Sequence, residues 1–395
     1  MFFYRQHAVH RALSLTLLVA ACFATLPAAA ADTSVQVPFT ADRWQVQGDG
    51  QFVRKEGFPQ GLLTLNGDSS KEFAALKGLS FGNGTIEFDV KAIGEDMPGI
   101  RFRQRDANTA EEFYIRVGPN CPASQDCLQY TPVTHGRMLW DTYIQYQKPA
   151  PFIENQWNHI KLVISGRRMN AYVDRQVEPS LSVDRLQGDA LAGGIELQGP
   201  ATFANLVLTP DAVEGLPSQP AADTSADDPR YLRAWELAAP ARLVEGADPL
   251  AANVPAASAD WTKIHAEDNG LVNLARRYEP HRKDHIYPLI AWLKTSVSSD
   301  RDQSKRVSIG FLREVWVFVD GKLVYTDKNL YNTPGQRKEP DGRLSIENGS
   351  FALPLHKGAN SVVIAVRSNT PDMSDQYGWG VEMRLDNLNG VTTVR

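Results

Sequence analysis

Trp157–Gly166 reads WNHIKLVISG, and Met169–Asp174 follows it as MNAYVD. From His159 onward, Ile160, Leu162 and Ile164 fall on one side of an extended chain, and His159, Lys161 and Ser165 on the other. A period of two with one apolar side is the pattern of a half-buried β-strand. The same pattern recurs upstream in Thr85–Lys91 (TIEFDVK), Gly99–Arg105 (GIRFRQR) and Glu112–Val117 (EFYIRV). Downstream it returns in Val315–Val319 (VWVFV), Leu323–Thr326 (LVYT) and Ser361–Val366 (SVVIAV). Gly, Asn, Asp and Pro punctuate these runs, with hairpin turns expected at Asp174-Arg175 and Asp320-Gly321. Helical periodicity is almost absent. The expected fold is all-β: two antiparallel jelly-roll sandwiches joined by a linker.

The 395 residues divide readily. Residues 1–31 read as a secretory signal: Arg5, His7 and Arg11 precede the apolar core Ala12–Ala21, and Ala28-Ala29-Ala30 offers a cleavage site. Val19-Ala20-Ala21-Cys22 also resembles a lipoprotein box, so lipid anchoring through Cys22 stands as the alternative to soluble export into the periplasm or beyond. Residues 32–209 form the first sandwich, 210–229 a linker rich in Pro, Ala, Asp and Ser, and 230–395 the second sandwich. The net charge is -5, and two positive charges leave with the leader. An acidic chain without a basic run lacks the footprint of a nucleic-acid or polybasic membrane binder. Cys121 and Cys127 remain as a pair whose spacing suits neither CxxC redox chemistry nor zinc, so a local disulfide is expected.

The strand order through GIRFR, EFYIR, Trp157–Gly166, Ala171–Asp174, Gly194–Leu197 and Phe203–Leu206 resembles the concanavalin A-like lectin/glucanase jelly roll. It is closest to its laminin-G-like and 3-keto-disaccharide hydrolase-like members. Val315–Tyr325, Leu355–Val366 and Gly378–Glu382 resemble a galactose-binding-like domain. These resemblances imply a carbohydrate or cell-surface glycan as partner. The glucanases of the first family carry E-x-D-x-x-E; here Glu87 and Asp89 are present, but Ala92 stands at the third position. Without a second flanking carboxylate the usual hydrolytic pair is incomplete, and Glu87 and Asp89 read as the solvated face of a strand.

The binding candidates come from alternation. Arg101, Arg103 and Arg105 share a side of one strand, Glu112, Tyr114 and Arg116 a side of the next, and Asp141, Tyr143, Gln145 and Gln147 a side of a third. Adjacent strands would merge these sides into one concave surface, which Tyr130 would join. Arg supplies a planar fork for carboxylates and hydroxyls, and Tyr a flat face with a hydroxyl, a mixture suited to a saccharide and especially an acidic one. The ligand-binding candidates are therefore Arg101, Arg103, Tyr114, Arg116, Tyr130, Tyr143 and Gln145, with Tyr331 and Trp379 of the second sandwich in reserve. The competing readings are a glycoside-acting hydrolase or lyase, with His135 the right residue type for proton transfer, and a protein-interaction module. His265, His281 and His285, near Glu267, Asp268 and Asp284, fit no standard zinc spacing. No cofactor is expected, although Asp300–Asp302 and Asp372–Asp375 are oxygen-rich enough to suit calcium.

Overall fold

Among the described residues the strands form four antiparallel sheets, none of which shares a strand with a sheet across the 210–234 boundary. The structure, a computed structural model, describes residues 1–2, 34–67, 71–94, 96–118, 120–121, 123–152, 155–244, 246–279, 289–368 and 377–394. Most of residues 1–31, with Cys22, and also His281, Asp284, His285 and Asp372–Asp375, lie outside the described residues.

The first sandwich packs two eight-stranded sheets face to face. Its back sheet centres on Asn158–Ser165, flanked by Arg168–Val173 and Gly84–Ala92. Ile86, Phe88, Val90, Ile160, Leu162 and Ile164 point inward and are at most 2% exposed, as their alternation requires. The front sheet runs Leu128–Thr134, Thr109–Ile115, Gly99–Asp106 and Gly194–Gln198 through its middle. Ile100, Phe113, Tyr130 and Leu197 close the core from that side. The second sandwich pairs a seven-stranded sheet with a four-stranded one, the latter ordered Val272–Asn273, Gly380–Leu385, Gln303–Phe311, Gly349–Leu355. Arg313–Val319 and Lys322–Asn329 are joined through Asp320-Gly321, both with positive φ (48° and 77°), the backbone a two-residue hairpin demands. Asp174-Arg175 also has positive φ at both residues, but opens the longer connection from Arg168–Val173 to Leu181–Val183.

Both sandwiches belong to one compact unit, Thr33–Arg395, and their buried apolar residues form one continuous cluster. Residues 210–229 are laid along the first sandwich. Arg167 N–H donates to the Ser218 carbonyl (2.9 Å), Ala221 N–H to that of Asp184 (3.0 Å), and Thr85 Oγ1 to that of Ala212 (2.6 Å). At the junction, Arg313 of the second sandwich meets Asp141 of the first at 3.0 Å, with side chains 0% and 1% exposed. Cys121 and Cys127 are joined in the expected disulfide. Its loop holds Asp126, which pairs with Arg116 at 2.8 Å and with Arg343 of the second sandwich at 3.3 Å. Among the described residues, no helix is long and apolar enough to cross a membrane.

Candidate functional site

The front sheet carries part of the expected polar face. Arg101 stands opposite Glu112 on one side and Glu196 on the other; Tyr114 stands opposite Gln129 and Gly99, and Gly99 opposite Gln198. Cross-strand partners share a face. Thr131, Glu112, Arg101 and Glu196 therefore form one row, and Gln129, Tyr114, Gly99 and Gln198 the next. Arg101 is held by Glu112 at 2.7 Å and Glu196 at 3.5 Å. The Arg116 guanidinium lies 5.6 Å from the Tyr114 ring. The face is closed, however: Tyr114 is 1% and Gln129 0% exposed. Tyr114 Oη, both amide atoms of Gln129 and Gln198 Oε1 are buried without a hydrogen-bond partner among the described residues.

Two of the seven candidates point the other way. The ladder slips between Phe102 and Asp106, and Arg103 takes φ 51°. That irregularity turns Arg103 off the face of Arg101, to bond the Gly82 carbonyl at 2.9 Å and Asn83 Oδ1 at 3.1 Å. Tyr130 sits opposite Phe113 and so faces the core. It donates to Glu111 at 2.5 Å and accepts from the Gln187 N–H at 2.6 Å. Burial raises the Glu111 carboxyl to about 7. Nor is Leu139–Gln147 the expected strand. It is a turn followed by the short 3-10 segment Ile144–Tyr146, and only Gln147–Lys148 joins a sheet.

That turn instead builds a cleft of about 820 Å³ between the two sandwiches. Tyr143 and Gln145 line it with Tyr146, Arg185 and Gln187 from the first sandwich, Asp223 from the linker, and Tyr231, Glu267, Arg276 and Glu382 from the second. Tyr143 Oη is its hub, donating to Glu267 at 3.2 Å and accepting from Asn273 at 2.9 Å and Arg276 at 3.2 Å. Arg276 also reaches the Gln187 carbonyl at 2.5 Å and pairs with Glu267 at 3.1 Å and Asp189 at 3.6 Å. Arg185 pairs with Asp268 at 2.7 Å, and Arg167 donates to the Gly188 carbonyl at 2.8 Å. All three cleft arginines are thus engaged. Six carboxyls (Asp184, Asp189, Asp223, Glu267, Asp268, Glu382) share the lining with them, leaving it acceptor-rich. Burial pushes the Glu267 carboxyl above its ordinary range despite Arg276, and raises the Tyr143 hydroxyl.

Of the seven candidates, then, Tyr143 and Gln145 meet in the cleft, Arg101, Tyr114 and Arg116 share the closed face, and Arg103 and Tyr130 lie behind it. Sequence reasoning passed over Arg185, Gln187, Arg276 and Glu382 as site residues, because each is brought to the cleft by packing between sandwiches. Glu87 and Asp89 do lie on the outer side of their strand. His159 bridges them, at 2.7 Å to Asp89 and 3.3 Å to Glu87, and Asn205 donates to Asp89 at 2.7 Å. His135 bonds the Arg276 carbonyl at 3.1 Å. Trp379 is fully buried, and Tyr331 packs edge-on against Trp140 at 5.0 Å. Among the described residues, no three His, Cys, Asp or Glu side chains gather into a metal-holding group. Asp300 and Asp302 instead engage Arg301 and the Lys357 N–H.

No protein-family model and no curated protein matches the chain. Among solved structures it is similar to a carbohydrate-binding module from Bacillus subtilis, at 17% identity and TM-score 0.32, covering 44% of this chain and 100% of that one. It is similar to a Bacillus licheniformis beta-glucanase at 14% identity and TM-score 0.31, covering 45% and 98%. It is also similar to domain 4 of an extracellular arabinanase from Geobacillus stearothermophilus, at 13% identity and TM-score 0.27, covering 43% and 85%. Each is matched over most of its length by less than half of this chain.

Proposed function

We propose that the chain is an exported carbohydrate-binding protein that takes a neutral oligosaccharide in the cleft between its sandwiches. The observation that carries this reading is the lining: three tyrosines (Tyr143, Tyr146, Tyr231), the amides of Gln145, Gln187 and Asn269, and several carboxyls surround a cavity of about 820 Å³. Sugar hydroxyls both donate and accept, and tyrosine faces cover the apolar side of a pyranose. The arginines that would have favoured an acidic sugar are taken up by Asp268, Glu267, Asp189 and backbone carbonyls. Export is supported by the leader-like residues 1–31 and by the Cys121–Cys127 disulfide.

A second reading places the sugar on the front-sheet face, and the unpartnered atoms of Tyr114, Gln129 and Gln198 favour it. Buried polar groups without partners cost about 1–3 kcal/mol each, which a ligand would relieve. The cleft is preferred because it is open.

Calorimetric titration of the mature chain with cello-, laminari-, xylo- and fructo-oligosaccharides, beside oligouronates, tests the proposal. Neutral sugars should bind, and Gln145→Ala should weaken them by about 2- to 10-fold, the value of one neutral hydrogen bond. Binding confined to oligouronates would overturn the neutral-ligand reading. New reducing ends appearing in the same mixtures would make the cleft catalytic.

A further inference from the structure

One acid in the cleft has no partner among the described residues. Glu382 lies on Gly380–Leu385 in register with Gly310 of the neighbouring strand, and is 6% exposed. It lines the cleft beside Leu344, Ser345 and Tyr231. Unlike Asp184, Asp189, Asp223, Glu267 and Asp268 of the same lining, each of which is ion-paired, it makes no hydrogen bond or ion pair with a described residue. A Cβ on Gly310 would sit 2.6 Å from Glu382 Oε1, so the glycine leaves the carboxyl its room. A residue needed only for packing at so buried a position would be apolar, because a buried acid without a partner is costly.

The groups around it say what it supplies. Arg384, on its own strand, is occupied by Glu347 at 3.5 Å and by the Tyr231 hydroxyl at 3.3 Å. Glu347 opposes a charge on Glu382. Gly310, its partner on one side, carries no charge, and neither does the strand Val272–Asn273 on the other. Six carboxyls make acceptors plentiful in the cleft and its arginines are engaged by carboxylates or carbonyls, so a further donor at position 382 would complement the amides of Gln145, Gln187 and Asn269.

We propose that Glu382 is a ligand-binding residue of this cleft, donating the O–H of a neutral carboxylic acid to a hydroxyl or ring oxygen of the bound saccharide. This rests on the neutral-saccharide reading above. Burial, with Glu347 adding to it and Arg384 opposing, raises the carboxyl to about 8. The donor is therefore present at pH 6.5 and lost by pH 9.5.

The test uses the full mature chain and the tightest neutral oligosaccharide of the panel, titrated at pH 6.5 and 9.5 with wild type, Glu382→Gln and Glu382→Leu, each checked by thermal melt. Wild type should lose at least tenfold in affinity across this interval. Glu382→Gln, which keeps a donor at every pH, should vary less than threefold, and Glu382→Leu should be at least tenfold weaker at pH 6.5. If the leucine variant does not fold, the contrast between wild type and Glu382→Gln decides alone. A pH loss that persists in Glu382→Gln would belong to Glu267 or another group and would overturn the inference, as would a leucine variant that binds like wild type. A wild-type chain that binds no neutral sugar overturns the saccharide reading and this inference with it. Binding indifferent to position 382 overturns the inference alone.

Discussion

Asp141→Ala should destabilise the whole chain, because Asp141 and Arg313 form the most deeply buried ion pair between the two sandwiches among the described residues. Its Oδ2 accepts from Arg313 at 3.0 Å, its Oδ1 from the Gly378 N–H at 2.9 Å, and both charged side chains are almost completely buried. Arg313 Nε and Nη2 already lack hydrogen-bond partners among the described residues. Truncating Asp141 would thus leave a whole guanidinium buried and uncompensated. Breaking a buried pair from one side costs about 3–5 kcal/mol, and stranding the Gly378 N–H adds about 1–3 kcal/mol. Even the lower figure is a large share of the roughly 5–15 kcal/mol that holds a domain folded. Urea denaturation followed by tryptophan fluorescence and far-ultraviolet circular dichroism measures it. Wild type should unfold in one transition, and Asp141→Ala at lower urea, with the two probes separating as the sandwiches uncouple. The apolar double variant Asp141→Leu with Arg313→Met should regain much of the loss, since it removes both buried charges. A cost below about 1 kcal/mol would refute the reasoning, for exposed pairs are worth no more than that.

Three further outcomes are expected. The His159 imidazolium, raised by its hydrogen bond to Asp89 and then by Glu87, should titrate above 6.5 by NMR. The stability it contributes is full below the unfolded-state pKa and fades as pH rises through the folded one; His159→Gln should abolish that slope, and an unchanged slope would contradict the assignment. Replacing Cys121 and Cys127 with Ser should cost about 2 kcal/mol for so short a loop in the chain-entropy model, with loosening of the Asp126 bridge added; no shift in a thermal melt would contradict it. Proteolysis within residues 210–229 should leave halves that co-elute on gel filtration, held by the junction of Asp141 and Arg313. Two separately eluting folded fragments would show that the junction is weak.

Strands such as Gly84–Ala92 and Asn158–Ser165 were legible because each turns one apolar side to the opposing sheet of its own sandwich. Ile160, Leu162 and Ile164 announce a core face whatever the rest of the chain does. Residues 139–147 misled for the opposite reason: Trp140, Asp141 and Tyr143 are buried by the second sandwich, so their alternation reports contacts between domains. Arg103 was misassigned because alternation assumes an unbroken ladder, and nothing local marks an arginine with positive φ. Tyr143 and Gln145 were found by residue type, although on the wrong geometry. Glu382 carried no local signal, because Val381, Met383 and Leu385 alternate with Glu382 and Arg384 as in any strand with one polar side. Glu267 was noted only as a neighbour of scattered histidines, since Arg276 and Tyr143 reach it from elsewhere in the chain.

The most direct measurement is a crystal structure of the mature chain soaked with the tightest-binding neutral oligosaccharide. The account predicts sugar density in the cleft, within hydrogen-bond distance of Gln145 and Glu382 and against the Tyr143–Tyr146 wall. Density over Arg101 and Tyr114 on the front sheet, with the cleft holding only solvent, would contradict it.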